Sequence, residues 1–263
     1  MKLQRRVWFR GIPLDELDES VVIRSVDTGV PHETINSVNL MGGFGQRITS
    51  QHWETLDCSV SFAINKPKYD LAGRRAVFDE VITWATGTGQ LQTSERPDKK
   101  LWVDKVVIPG AGDLWDWTRE YTIVFRAYSV PFWQDTTETS VGELLNDGTG
   151  EVTLNVNGNA QTVLNLNVQN LSGGEINAFS VTAGGNTISL SGIELANNGY
   201  MYISHGSDGL LKITKGSISG TSVYDKRSAD SADDLYINPG ENTVSVEADG
   251  KIDLVCYTYG RYL

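Results

Sequence analysis

The chain has 263 residues, of which 40% are hydrophobic, and its formal net charge is −11. Residues 1–145 carry 16 Lys and Arg against 20 Asp and Glu, and residues 146–263 carry 6 against 13, so both halves are acidic, at −4 and −7. An acidic chain without a basic stripe argues against binding to nucleic-acid phosphates and against adsorption to an anionic membrane.

The first residues carry charges, but no apolar segment of signal-peptide length follows them. No other part of the sequence approaches the about 18 continuous apolar residues that a membrane span needs. We therefore expect a soluble product synthesised in the cytoplasm. The two cysteines, Cys58 and Cys256, each lie in an apolar, strand-like segment, and we expect both to be free buried thiols.

Two different compositions are joined in this chain, because all seven tryptophans lie in its first half. The sequence AYSVPFW at residues 127–133 gives way to a polar stretch, which is typical of the end of a domain. One large all-β unit of this length is the alternative. We predict a first domain at residues 1–134, a linker at 135–148 and a second domain at 149–263.

The first half alternates between apolar and polar residues, which predicts strands. One segment, residues 70–86, instead has apolar residues at spacings of three and four, which predicts an amphipathic helix lying across the sheet. Asp70 is a suitable N-cap and Gly87 a suitable stop. We expect the basic pair Arg74 and Arg75 to lie in solvent, with an intersubunit contact as the alternative. The four predicted strands are residues 21–26, 57–64, 101–108 and 119–128.

The second half reads as short strands separated by Asn-Gly, Gly-Gly and Asp-Gly pairs, which make tight hairpin turns. Eight or nine short antiparallel strands at this spacing predict a β-sandwich or jelly roll. The fold class is therefore mainly β, with a sandwich-like first domain that contains one helix and an antiparallel sandwich after it. The predicted strands are residues 151–156, 163–168, 179–183, 187–190, 201–203, 210–213, 235–237, 242–246 and 252–257.

The sequence offers no recognisable catalytic machinery. His32, His52 and His205 lie in separate segments without metal-ligand spacing, so we expect structural or surface roles. There is no nucleophile elbow, phosphate loop or dinucleotide fingerprint. Glycines at residues 42–45 favour a bent loop. We predict no enzyme activity, no cofactor and no metal.

Carboxylates offer two further hypotheses. A pair among Glu194, Asp208 and Asp225 would suit glycoside hydrolysis, but the sequence places no two of them on one face, which favours a solvated acidic rim. Residues 228–234 are rich in Asp and Ser oxygens, yet they lack the glycine and the terminal glutamate of a calcium loop.

Tyrosines of the second half offer another site. The rings of Tyr200, Tyr202 and Tyr224 are candidates for stacking on a sugar. Because Tyr200 and Tyr202 share one face of a strand, packing at the edge of the sandwich core is the competing interpretation.

The order of the parts resembles the distal tail protein family of long non-contractile-tailed bacteriophages, over nearly the whole chain. The resemblance rests on AYSVPFW at residues 127–133, NPGENT at 238–243 and YGRYL at 259–263, together with a β domain containing one helix that precedes a galectin-like or carbohydrate-module-like sandwich.

The resemblance implies a structural virion protein at the distal end of the tail. Six copies would form a ring that joins the tail tube protein to the tail-associated hub protein and supports receptor-binding proteins. Trp115 and Trp117, in a glycine-rich loop, would be intersubunit anchors, with burial in their own subunit as the alternative. The competing functions are an adhesin that binds host glycans through Tyr200 and Tyr202, and a glycoside hydrolase.

Overall fold

The computed structural model describes residues 5–39, 46–108, 110, 119–206 and 208–263. Over these residues the protein is mainly β, as predicted, with one α-helix and several antiparallel sheets. Contacts between Cα atoms divide it into two compact units: unit 1 is Met1–Trp133 with Leu263, and unit 2 is Gln134–Tyr262.

Unit 1 consists of two sheets, a separate hairpin and the helix α1 (Leu71–Ala85). Its strands are β1 (Val7–Phe9), β2 (Ile12–Pro13), β3 (Val21–Asp27), β4 (Glu33–Asn39), β5 (Gln46–Trp53), β6 (Leu56–Ile64), β7 (Gly89–Thr93), β8 (Arg96–Val103), β9 (Lys105–Val107) and β10 (Glu120–Ala127), and strand β11 (Trp133–Asp135) begins at its last residue before unit 2. One sheet contains β2, β1, β7, β8 and β11 in that order, and the other contains β3, β6, β10 and β9.

Aromatic side chains join the helix to both sheets in the core of unit 1. Trp84 of α1 lies edge-on to Phe9 of β1 and to Phe125 of β10, with ring centroids 5.9 and 6.0 Å apart. The Trp84 indole N–H donates to the carbonyl of Ile12 at 3.0 Å, so its polar atom is satisfied inside the core. The motif AYSVPFW at residues 127–133, on which the family resemblance rests in part, ends in this core, because its last residue, Trp133, is fully buried.

The helix α1 confirms the periodicity prediction, including both ends. The Asp70 side chain accepts a hydrogen bond from the amide of Gly73 at 2.9 Å, and Gly87 adopts φ +102° just after the C-cap. The prediction that Arg74 lies in solvent was wrong, because Arg74 is only 2% exposed. Its spacing to Val77 and Phe78 puts it on the apolar face, and its guanidinium donates to the carbonyl of Lys68.

Replacing Asp70 by alanine should therefore lower the free energy of unfolding of unit 1 by about 1 kcal/mol, because the first turn of α1 loses its side-chain acceptor. Denaturant titration of the purified protein measures this loss. Asp70→Asn keeps an acceptor oxygen and should stay close to wild type; equal losses in the two variants would contradict the capping role.

The predicted strand at residues 101–108 is two strands, β8 and β9, that belong to different sheets. Asp104 lies between them, and its carboxylate accepts from the amides of Tyr128 at 2.6 Å and Ser129 at 2.8 Å. These hydrogen bonds fix the position at which the chain passes from one sheet to the other. The alternation of apolar residues does not reveal this position.

Unit 2 is an antiparallel sandwich. Its strands are β12 (Thr139–Leu145), β13 (Thr149–Val156), β14 (Thr162–Val163), β15 (Asn165–Asn170), β16 (Ile176–Ala183), β17 (Asn186–Leu195), β18 (Tyr200–His205), β19 (Leu211–Lys215), β20 (Thr221–Ser222), β21 (Tyr236–Ile237), β22 (Gly240–Ala248), β23 (Ile252–Thr258) and β24 (Arg261–Tyr262). One sheet has the order β12-β23-β15-β18-β19-β20, and the other β13-β22-β16-β17. Alternate residues of both sheets face one hydrophobic core.

The segment predicted as a linker, residues 135–148, contains strand β12. This strand pairs along its whole length with β23, from Thr139 opposite Thr258 to Leu145 opposite Ile252. It lies at the edge of its sheet, and most of its residues are exposed to solvent. Its sequence therefore resembles that of a linker.

Candidate interaction surfaces

The β4–β5 hairpin is the first candidate surface. The two strands pair with each other and with no other described strand. Ile35, Val38 and Ile48 are 51%, 52% and 56% exposed. Ser37 pairs with Ile48 and lies two residues after Ile35 in β4. The side chains of Ile35 and Ile48 therefore lie on the same face of the hairpin.

Contacts at the base of the hairpin fix it to unit 1. The ring of Trp53 lies edge-on to that of Phe132, with centroids 5.8 Å apart, and the amides of His32 and Glu54 make backbone hydrogen bonds across the base. Farther out, the Asn36 amide donates to the Ser50 hydroxyl at 2.9 Å. A two-stranded ribbon gains little stability alone, so exposed aliphatic residues on it are typical of a surface that another protein covers.

The second candidate surface is a cleft of about 780 Å³ in unit 2, which we call the β19 cleft. Strand β19 forms one side, and the 3-10 helix Tyr224–Lys226 and the segment before β21 contribute the rest. The lining of the cleft includes Leu210, Leu211, Ile213, Tyr224, Asp234 and Tyr236.

A buried pair of His205 and Asp234 forms part of the wall of this cleft. The Oδ1 atom of Asn165 is identified by the His205 backbone N–H that donates to it at 2.9 Å. His205 Nδ1 lies 2.9 Å from that same oxygen and must donate, so it carries a proton. His205 Nε2 lies 2.5 Å from Asp234 Oδ1, which requires a second proton in the pair. This geometry suits an imidazolium bound to a carboxylate.

The charge of Asp234 depends on this partner. Burial acts to raise the pKa of Asp234, but the hydrogen bond and positive charge of His205 and the Leu235 amide outweigh burial and lower the pKa below its ordinary value of 3.8. Burial, and after it the charge and hydrogen bond of the same carboxylate, raise the pKa of Tyr236. Sequence reasoning missed this pair because 29 residues separate its members.

A second set of contacts orients Tyr224 at the cleft. The Arg227 guanidinium carbon lies 4.7 Å from the ring centroid of Tyr224, and Nη1 donates to the tyrosine hydroxyl at 2.8 Å. Nη2 of Arg227 also lies 3.2 Å from Asp233 Oδ1. These contacts fix the ring before any ligand arrives.

The structure separates the three tyrosines that sequence analysis grouped. Tyr200 and Tyr202 alternate with the buried Met201 and Ile203, so they lie on the outer face of their sheet, with near-parallel rings 6.4 Å apart. Tyr224 lines the β19 cleft, whereas Tyr200 and Tyr202 do not. That Tyr200 and Tyr202 contact a glycan stays a prediction.

Several other predicted residues do not converge on a site. Trp115, Trp117 and the glycines at residues 42–45 lie outside the described residues. Asp208 pairs with Lys212 at 3.6 Å. Within the described residues, no three His, Cys, Asp or Glu side chains are grouped as a metal would require.

Both cysteines are free and buried, as predicted. Burial raises the pKa of each thiol, Cys58 and Cys256, to about 12, so neither is a reactive thiolate. None of the helices in the described part of the chain has the length and apolar character to cross a membrane.

No protein-family model and no curated protein matches this sequence. Among solved structures, the chain is similar to the Dit (gp 19.1) protein of phage SPP1, described as a paradigm of the hub adsorption apparatus in phages that infect Gram-positive bacteria. The TM-score is 0.67 at 12% identity, and the match covers 99% of this chain and 100% of that chain. A chain of the phage P2 baseplate in its activated conformation with Ca matches with a TM-score of 0.48 at 9% identity, over 97% and 98% of the two chains.

The fold of this chain is thus the fold of the SPP1 Dit protein from one end to the other. The resemblance predicted from the sequence is confirmed at the level of the fold.

Proposed function

We propose that this chain is a structural component of the tail tip of a long non-contractile-tailed bacteriophage. The observation that carries the proposal is the match to the SPP1 Dit fold over 99% of this chain and 100% of that one. A match confined to one sandwich would support only a common β architecture, whereas both units and their order are included here.

In the proposed assembly, six copies form a closed ring through unit 1 at the distal end of the virion tail. The ring joins the tail tube protein to the tail-associated hub protein, and it supports receptor-binding proteins. The function is mechanical and requires no catalytic group or cofactor.

The β4–β5 hairpin supports assembly through unit 1. Ile35, Val38 and Ile48 expose aliphatic surface that a second copy of the chain would bury. A projecting hairpin and a different receiving surface on the next copy make a head-to-tail contact, and such contacts generate rings when the rotation closes.

Replacing Ile35 and Ile48 together by lysine should prevent assembly, because two charges in the centre of the proposed contact would lose their hydration. Light scattering over a concentration series, followed by electron microscopy, should find a ring of the wild-type chain and a folded monomer of the variant.

Ile218→Lys is the matched control, since Ile218 is 60% exposed in unit 2 and its replacement should leave the ring intact. A ring in the double variant would exclude the hairpin as the contact. A wild-type chain that stays monomeric at every concentration would contradict self-assembly.

A glycan-binding role is the second candidate, and the stacked rings of Tyr200 and Tyr202 on an outer sheet face are the observation that favours it. A monomer that binds a host glycan saturably through these rings would support this alternative over the ring.

A further inference from the structure

We propose that the β19 cleft of unit 2 binds an extended polypeptide segment of another protein, which adds to the free part of the β19 edge as a short strand. The inference concerns unit 2 and does not depend on the ring proposed for unit 1.

The edge of β19 is only partly covered. Strand β20 pairs with Thr214 and Lys215, and the amide of Val223 donates to the carbonyl of Ile213 at 2.9 Å. Beyond this point the chain turns into the 3-10 helix Tyr224–Lys226 and leaves the edge.

The uncovered backbone groups belong to Leu211. Successive residues of a strand direct their N–H and C=O groups to opposite sides, so Leu211 faces the same side as Ile213. The carbonyl of Leu210 accepts from Gly206 on the opposite side, which agrees with this alternation. In the described part of the chain, no strand pairs with Leu211 on the cleft side. An edge of this kind is what strand addition uses.

The polar groups of the cleft favour a peptide over a sugar. Asp234 is bound by His205 and Leu235, and Asp233 and Lys212 are paired with Arg227 and Asp208. The Thr214 hydroxyl donates to the Ser217 carbonyl. A sugar needs side-chain partners for its hydroxyls, and here it would have to compete with the partners that these side chains already have within the protein. No strand competes for the backbone of Leu211 on this side in the described part of the chain.

The walls specify the chemistry of the segment. Leu210 is 64% exposed, and the rings of Tyr224 and Tyr236 are exposed on the cleft. Every second side chain of an added strand would contact this apolar surface. Because residues 146–263 carry 6 basic against 13 acidic side chains, we expect Lys or Arg at the flanks of the segment.

The test uses the full chain and an array of short synthetic peptides with alternating apolar and Thr residues between lysines. Wild-type protein and Leu211→Val should bind a common subset of these peptides. Leu211→Pro should bind the subset about tenfold more weakly or worse, since proline removes the N–H that faces the cleft. Proline is tolerated where that N–H faces away from the sheet, so the bonds between β19 and β18 remain.

A second comparison leaves the protein unchanged. Peptides of the bound subset, N-methylated at alternate residues, should lose binding when the methylated amides face β19 and keep it when the other set is methylated. Equal binding of both methylated forms, equal binding by Leu211→Pro, or an array without any bound peptide would overturn the proposal. Saturable binding of a neutral oligosaccharide in this cleft, lost in Tyr224→Ala, would replace the peptide with a glycan.

Discussion

Replacing Phe125 with alanine is expected to lower the free energy of unfolding of unit 1 by about 3–5 kcal/mol. Phe125 is fully buried on β10, and its ring lies 5.2 Å from that of Phe9 and 6.0 Å from that of Trp84. These neighbours belong to the other sheet and to α1. Truncation therefore leaves a cavity where three elements meet, and no single element can move to fill it.

The tryptophans make this measurement specific to unit 1. All seven lie at or before Trp133, so a denaturant titration followed by tryptophan fluorescence reports the unfolding of unit 1. Tyr69→Ala is the control, because Tyr69 is 84% exposed and its removal should change the free energy by less than about 0.5 kcal/mol. A loss below about 1 kcal/mol in Phe125→Ala would mean that the core of unit 1 is loosely packed.

Periodicity predicts the parts of this fold whose side chains face a core. It located α1 within one residue at each end, from the predicted 70–86 to Leu71–Ala85. It predicted β6 and β10, in which apolar residues alternate at the centre of a sheet. In these elements the apolar positions of the sequence are the positions whose side chains are buried, so the sequence pattern predicts the element.

Periodicity fails where a strand is mostly polar and where a charged side chain lies on a buried face. The β4–β5 hairpin was not predicted, because its strands are mostly polar and face no core. Strand β12 read as a linker because most of its residues are exposed, although Leu145 is buried in the core of unit 2 and Val141 packs against that core. Arg74 shows the converse, since a charged side chain lies on the buried face of a helix whose remaining pattern is apolar.

The candidate sites were harder to predict than the fold, because they depend on which strands become neighbours. His205 ends β18, Asp234 precedes β21, and Asn165 begins β15. Each residue alone reads as an ordinary surface group. Only the sheet order, which puts β15 beside β18, brings Asn165 to His205 and fixes the proton on Nδ1.

The largest effect that we expect in unit 2 comes from breaking this ion pair. The side chains of His205 and Asp234 are 6% and 11% exposed. Removing either partner leaves a buried polar group without its counterion, so His205→Ala and Asp234→Ala should each lower the free energy of unfolding by about 3 kcal/mol. Unit 2 contains no tryptophan, so its unfolding is followed by the far-ultraviolet circular dichroism of the whole chain, with the transition of unit 1 identified separately by tryptophan fluorescence.

The double variant His205→Ala/Asp234→Ala measures the interaction between the two side chains apart from their contacts with other residues. If the two groups stabilise one another, removing both should cost less than the sum of the single losses, by about 1–3 kcal/mol. Additive losses would mean that each side chain is held by other contacts, such as that of Asn165 with His205. Additive losses would also rule out the buried ion pair that the hydrogen-bond geometry indicates.

The pH dependence of the free energy of unfolding tests the charge of Asp234 independently. Because the pKa of Asp234 is lowered in the folded protein, its charged form contributes stability that is fully present above the ordinary value of 3.8 and is lost as the pH falls through the lowered value. Wild type should therefore exceed Asp234→Asn in stability at neutral pH, and the difference should narrow on acidification below about pH 4. The asparagine keeps an acceptor for the Leu235 amide, so a narrowing difference reports the charge of Asp234 and its partner His205. A difference that stays constant from neutral to acidic pH would mean that shape, and not charge, maintains this wall of the β19 cleft.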